Sequence, residues 1–193
     1  MDLTLKRHTT GRNKIHPYKF ALWVGCATLL MMFAALTSAY IVRQAAGNWL
    51  EFALPAVFKM STITIVVSSL TLQGAYVFFK KGKETGYKVL LVATFLLGLL
   101  FFVFQYQGWQ ALAAAGIPFT LHPAGDFVYV ISWLHAAHVL GGLAILAVAM
   151  IHAFALPYKV TKRRKLRFEL SLTYWHFIGF LWIYLFFFLS VYR

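Results

Sequence analysis

Long apolar runs alternate with short polar, mostly basic stretches along the whole chain. Five runs, at residues 20–42, 60–79, 89–106, 127–156 and 170–192, contain no Asp, Glu, Lys or Arg. A helix rises about 1.5 Å per residue, so roughly 20 residues cross a hydrocarbon layer of roughly 30 Å. The pattern predicts an all-α, polytopic membrane protein: one membrane domain over residues 1–193 with five transmembrane helices. The fourth run is longer than a crossing needs, so it is expected to tilt or protrude. The basic start before residue 20 resembles a secretory leader. The run that follows is too long for a leader's apolar region and no clear cleavage site comes after it, so it is read as the first retained span.

Charge adds direction. The chain carries a net charge of +13, which in a soluble protein would point to nucleic acid. Here 61% of residues are hydrophobic, and the charges lie between the apolar runs, so nucleic acid is not an expected partner. The N-terminal tail holds Lys6, Arg7, Arg12, Lys14 and Lys19. The second loop holds Lys80, Lys81, Lys83 and Lys88. The fourth holds Lys159, Lys162, Arg163, Arg164, Lys165 and Arg167. Only Arg43, Lys59 and Arg193 fall on the other side. The positive-inside rule then predicts a cytoplasmic N-terminus and an outside C-terminus. The fourth-loop cluster can set topology alone or can also bind anionic lipid headgroups.

Polar residues inside the runs are candidates for packing or chemistry. Ala35 and Ala39 form a small-xxx-small pair on the first span. The second carries a stripe of Ser61, Thr64, Ser68, Thr71 and Ala75, expected to pack helices, with a proton or ion path as the sharper alternative. Gln105, Gln107 and Trp109 are expected at the outer interface, with wet amides and an anchoring indole. The loop at 110–126, with Pro118 and Pro123, is expected to be irregular or to lie on the membrane surface. The lone Cys26 is expected to pack as a small residue, with no disulfide or thiolate site.

His135, His138 and His152 fall within about 100° of one another on a face shared with Gly142 and Ala149, which belongs inside a bundle. His152 and His176 can meet if their helices are neighbours. His138 and His152 are spaced to serve two stacked haems, but a second helix must then supply two more axial ligands. Only His176 is available there, since His8, His16 and His122 lie at or outside the span boundaries. The histidines are therefore expected to bond hydroxyls or carbonyls across helices. The carboxylates Asp2, Glu51, Glu84, Asp126 and Glu169 sit in tails, loops or boundaries, which leaves no acid chain for a proton path. Glu169 is expected at the N-terminal start of the last helix, favoured by the helix dipole and able to pair with Arg167 or a lipid amine. No phosphate loop, Ser/His/Asp pattern or inverted repeat is present. No catalytic or redox centre is expected in the chain itself.

The last run, with Phe168, Glu169, Tyr174, Trp175, His176, Phe177 and Trp182, resembles the closing helix of subunit III of haem–copper cytochrome c oxidases. The fourth is similar to the family's H-x-x-H-V-x-x-G pattern through His135, His138, Val139 and Gly142. The segment at 68–73 is similar to its Ser/Thr-rich stretch. Trp23, Met31, Phe33, Ala34, Ala39 and Tyr40 match its first core helix, and Gln105 and Trp109 its third helix end. Three acids usual in the family are replaced, by Leu29, Gly108 and Gly179, so roles tied to those carboxylates are not carried over. Seven-helix members have two further helices before this core, with lipids in a V-shaped cleft between the two parts. Here the cleft wall is expected to come from lipid or from another subunit.

The resemblance implies a non-catalytic, lipid-binding structural subunit of a proton-pumping cytochrome c oxidase in a bacterial cytoplasmic membrane. Haem and copper are then expected in partner chains: the catalytic subunit one and the copper-bearing, cytochrome c-docking subunit two. The residues expected to touch lipid or neighbouring helices are His135, His138, Lys162, Arg163, Arg164, Arg167, Glu169, Trp175 and His176. The alternatives are the equivalent subunit of a quinol oxidase or nitric oxide reductase complex, or a free-standing haem b membrane protein.

Overall fold

The computed structural model describes residues 16–192. The tail residues Lys6, Arg7, His8, Arg12 and Lys14, and Arg193, lie outside the described residues. Five helices follow in order: α1 (Pro17–Ala45), α2 (Val57–Lys80), α3 (Glu84–Ala114), α4 (Pro123–Ala155) and α5 (Lys162–Val191). All five are long and apolar enough to cross a membrane, and no strand occurs among the described residues.

Local chemistry explains where the helices start. α1 and α4 begin with the same dipeptide, His-Pro. The Nδ1 atoms of His16 and His122 accept from the backbone N–H of Tyr18 and Ala124, each at 3.4 Å. Proline follows at the first helical position, where its missing N–H costs nothing. Thr161 caps α5 by accepting from the Arg164 N–H at 3.2 Å, the usual work of a hydroxyl at an N-cap. Between α2 and α3 the chain turns within Lys81, Gly82 and Lys83. Gly82 has φ +74°, a conformation that glycine adopts without strain. α2 and α3 therefore form a tight antiparallel hairpin.

Helices run past the predicted spans. α3 continues through Gln105 to Ala114, and α4 starts at Pro123, so the irregular stretch is confined to 115–122 rather than 110–126. α5 starts eight residues before the apolar run, at Lys162, because solvated Lys and Arg are good helix formers. Glu169 thus lies two turns inside α5, and the expectation of a place at the helix start is corrected.

Helices α2, α3, α4 and α5 form a four-helix square in which each touches the next, and α1 packs against the α4–α5 edge. The centre is filled by α5. Trp175 and Trp182 are buried, and an added Cβ on Gly142 would come within 3.0 Å of the Trp175 ring. Glycine there lets α4 and α5 approach closely, which is how membrane helices gain packing without a hydrophobic drive. The predicted small pair Ala35 and Ala39 is exposed on α1 and makes no close approach within this chain. Cys26 is buried, as expected.

Candidate functional site along the seams of α5

Three indoles inside the bundle each donate to a hydroxyl on another helix. Trp175 Nε1 donates to Ser68 Oγ at 3.1 Å. Trp182 Nε1 donates to Thr62 Oγ1 at 3.0 Å. Trp109 Nε1 donates to Ser132 Oγ at 2.9 Å. The predicted stripe on α2 is a packing seam. Ser61, Thr64, Ser68 and Ala75 are buried, and the Thr71 and Thr94 hydroxyls meet at 2.9 Å between α2 and α3. Gln105 is not at a wet interface. It is fully buried and its amide donates to Ser61 Oγ at 3.1 Å.

The histidines separate into four environments. His135 is fully buried, ringed by Phe33, Phe101 and Trp182. Its ring nitrogens have no hydrogen-bond partner. His138 is half-buried and its Nδ1 donates to the Leu134 carbonyl of its own helix at 2.6 Å. His152 does the same to Val148 at 2.8 Å and is exposed. The shared inward face predicted for the three therefore fails at His152, because no neighbouring helix covers that side of α4 at that depth. His176 pairs with Gln73 on α2, whose Oε1 accepts from Nε2 at 3.2 Å. So one histidine bonds across helices; His138 and His152 fold back on their own.

At the basic end three helices converge on Glu169. Its Oε2 lies 2.7 Å from Lys19 Nζ on α1, and its Oε1 accepts from the Tyr76 hydroxyl on α2 at 2.7 Å. The protein cation that pairs with Glu169 is Lys19, not the Arg167 expected from the sequence. Nearby, Tyr158 in the α4–α5 loop donates to the Phe79 carbonyl at 2.6 Å. Burial raises its phenol above the usual range, which keeps the donor proton in place. Arg164 Nη1 donates to the Pro157 carbonyl at 2.7 Å and braces the same loop. Lys162, Arg163 and Arg167 are exposed, as are Lys80, Lys81 and Lys83. An open groove of about 430 Å³ lies at the start of α3, lined by Glu84, Lys88, Val92 and Phe154 among others. Lys88 bonds Glu84 at 2.6 Å and lies over the Phe154 ring.

Of the residues singled out from sequence, Trp175, His176, Glu169 and His135 sit in helix–helix contacts. Lys162, Arg163 and Arg167 face outward. Lys19, Tyr76, Gln73 and Tyr158 were missed, since the partners stand up to 150 residues apart. Among the described residues no group of three or more His, Cys, Asp or Glu side chains converges to hold a metal ion.

Comparison with known proteins decides the family. The family model described as cytochrome c oxidase subunit III matches residues 47–193, well over half of the chain. The chain belongs to the cytochrome c oxidase subunit III family. A probable cytochrome c oxidase subunit 3 of Nocardia farcinica is 28% identical, with 95% of this chain and 91% of the relative aligned. The cytochrome c oxidase subunit 3 of Corynebacterium diphtheriae is 29% identical over 96% of this chain and 93% of its own length. A probable quinol oxidase subunit 3 of Staphylococcus saprophyticus is 26% identical over 87% and 85%. The subunit III family thus includes members of both oxidase kinds. Its membership makes this chain part of an oxidoreductase complex in a membrane, associated with other oxidase subunits.

Proposed function

We propose that this chain is a supporting, lipid-contacting subunit of a proton-pumping haem–copper oxidase, with electron transfer and oxygen chemistry carried by companion subunits. The observation that carries this reading is how its polar groups are used. Inside the bundle, indoles, hydroxyls and the Glu169 carboxylate are spent on holding helices together. At one end, lysines and arginines of the α2–α3 turn and the start of α5 are exposed, and an apolar groove opens at the start of α3. Exposed cations and an apolar recess at the same end suit anionic phospholipid, with headgroup phosphate against the former and acyl chains against Phe154 and Val92. With the basic end cytoplasmic by the positive-inside rule, this site lies in the inner leaflet of a bacterial cytoplasmic membrane. Companion chains are a catalytic subunit bearing haem and copper and a subunit that receives the electron donor.

The test is lipid mass spectrometry on the complex purified in mild detergent. Wild type is expected to retain anionic phospholipid. The Lys162→Gln, Arg163→Gln, Arg167→Gln triple variant is expected to retain several-fold less while the companion subunits still co-purify. Equal lipid retention would overturn the lipid role. A near-stoichiometric haem spectrum from the isolated chain would overturn the supporting role. A second reading, a quinol oxidase in place of a cytochrome c oxidase, is favoured by the Staphylococcus relative. It is separated by assaying the complex with each donor.

A further inference from the structure

Most of the outer surface at membrane depth is plain hydrocarbon. On α3 it is Leu96, Leu99, Leu100 and Val103; on α4 it is Leu140, Ile145, Val148 and Ile151. On α4 the exposed His152 is turned onto its own helix, where its Nδ1 bonds the Val148 carbonyl at 2.8 Å.

The side of α5 that lies between α1 and α2 is different. Gln73 is exposed on α2, seven residues from the end of that helix, about 10 Å along its axis. Its Oε1 accepts from His176, but its amide nitrogen has no acceptor among the described residues. Ser69, one turn along α2, stands against Gly179, where a Cβ would meet Ser69 Oγ at 3.0 Å. Further toward the other end, Thr37 and Tyr184 share a hydrogen bond of 3.0 Å between α1 and α5. Beside them Ser38 is exposed in an open groove of about 550 Å³ that runs between these helices. Hydrogen-bonding groups therefore recur along this one side at several depths, among large projecting apolar residues such as Leu70 and Phe180, 67% and 71% exposed. A primary amide exposed at membrane depth with its N–H groups unmet is unfavourable, because hydrocarbon offers no acceptor. A lipid acyl chain cannot meet that need; a protein acceptor can.

We propose that the α5 face between α1 and α2 is the docking surface for a transmembrane helix of a companion oxidase subunit, with a hydrogen-bond acceptor opposite the Gln73 amide. The proposal rests on the reading of this chain as a subunit of a larger oxidase. The small Ser38 and Ala34 at the groove give room for that helix to approach. The α3 and outer α4 faces are left to lipid.

The experiment places a photo-crosslinking phenylalanine analogue at Leu70 or Phe180 in one set of complexes, and at Leu99 or Val103 in another. Irradiation is done in the purified, active complex, and the adducts are identified by peptide mass spectrometry. Adducts to a co-purified oxidase subunit are expected from Leu70 and Phe180 at least tenfold above those from Leu99 and Val103. Equal yields from the two faces, adducts only from the α3 face, or no adduct from either face would overturn the assignment. Gln73→Leu, which keeps the helix apolar and intact, is expected to release the chain from the complex at lower detergent; unchanged retention would also count against it. Failure of the underlying reading shows separately, because then no companion subunit co-purifies with the unaltered chain.

Discussion

The Lys19 ammonium of α1 stands 2.7 Å from the Glu169 carboxylate of α5, and the other carboxylate oxygen takes the Tyr76 proton of α2. One side chain thus ties together three helices, two of which, α1 and α2, do not otherwise pack against each other. The two charged side chains are 43% and 24% exposed, so solvent screening limits the charge contribution to about 0.5–1 kcal/mol. Glu169→Gln keeps an oxygen for Tyr76 and is expected to cost about that much. Glu169→Ala strands both partners and is expected to cost roughly 1–3 kcal/mol. Unfolding titrations in mixed micelles check the order; equal costs would mean that the Tyr76 bond contributes nothing.

Gly141 and Gly142 are adjacent and make opposite demands. A Cβ on Gly142 lies 3.0 Å from two atoms of the rigid, buried Trp175 ring, whereas one on Gly141 meets only the Tyr174 hydroxyl at 3.7 Å. Gly142→Ala is expected to destabilise by about 1–3 kcal/mol, the usual cost of overpacking. Gly141→Ala is expected to be neutral or slightly stabilising, as alanine is the better helix former. Melting curves of the two variants under one detergent condition give the comparison.

Ser61 and Gln105 are both fully buried and bond each other at 3.1 Å. Ser61→Ala leaves the amide nitrogen without a partner, at roughly 1–2 kcal/mol. Gln105→Leu removes the polar group at similar volume and is expected to cost less. The double variant should then match Gln105→Leu alone. A double variant as unstable as Ser61→Ala would show that the serine matters for packing and not for the amide.

His176 is bonded only to Gln73 among the described residues and lies on the proposed docking face. His176→Leu is expected to weaken retention of this chain in the complex and to leave the haem absorption bands unchanged. Shifted bands with the chain still bound would place His176 near a redox centre instead.

The five helices were legible because each needs a long uncharged run, and hydropathy reads that directly. Their ends were not. Gln105 reads as wet, yet Ser61 lets it be buried and the helix carries on to Ala114. Lys162 and Arg163 read as loop, yet they form solvated helix beyond the apolar run. The wheel put His135 and His152 on one inward face of α4, yet His135 is fully buried and His152 is exposed. Glu169 was flagged by its place beside Phe168, while its partner Lys19 looked like one more topological charge. Pairing across 150 residues is a property of the packed square, not of either local stretch.

The tight α2–α3 turn at Gly82 has a consequence for how the molecule is made. The two helices adjoin in sequence and pack along their length, so they can enter the bilayer together as one hairpin. α5 follows the other four in order of synthesis, and its two tryptophans fill the centre of the square. Until α5 arrives, the hydroxyls of Thr62 and Ser68 lack their indole partners and the nascent bundle is open on one side. Closure of the four-helix square therefore waits for α5.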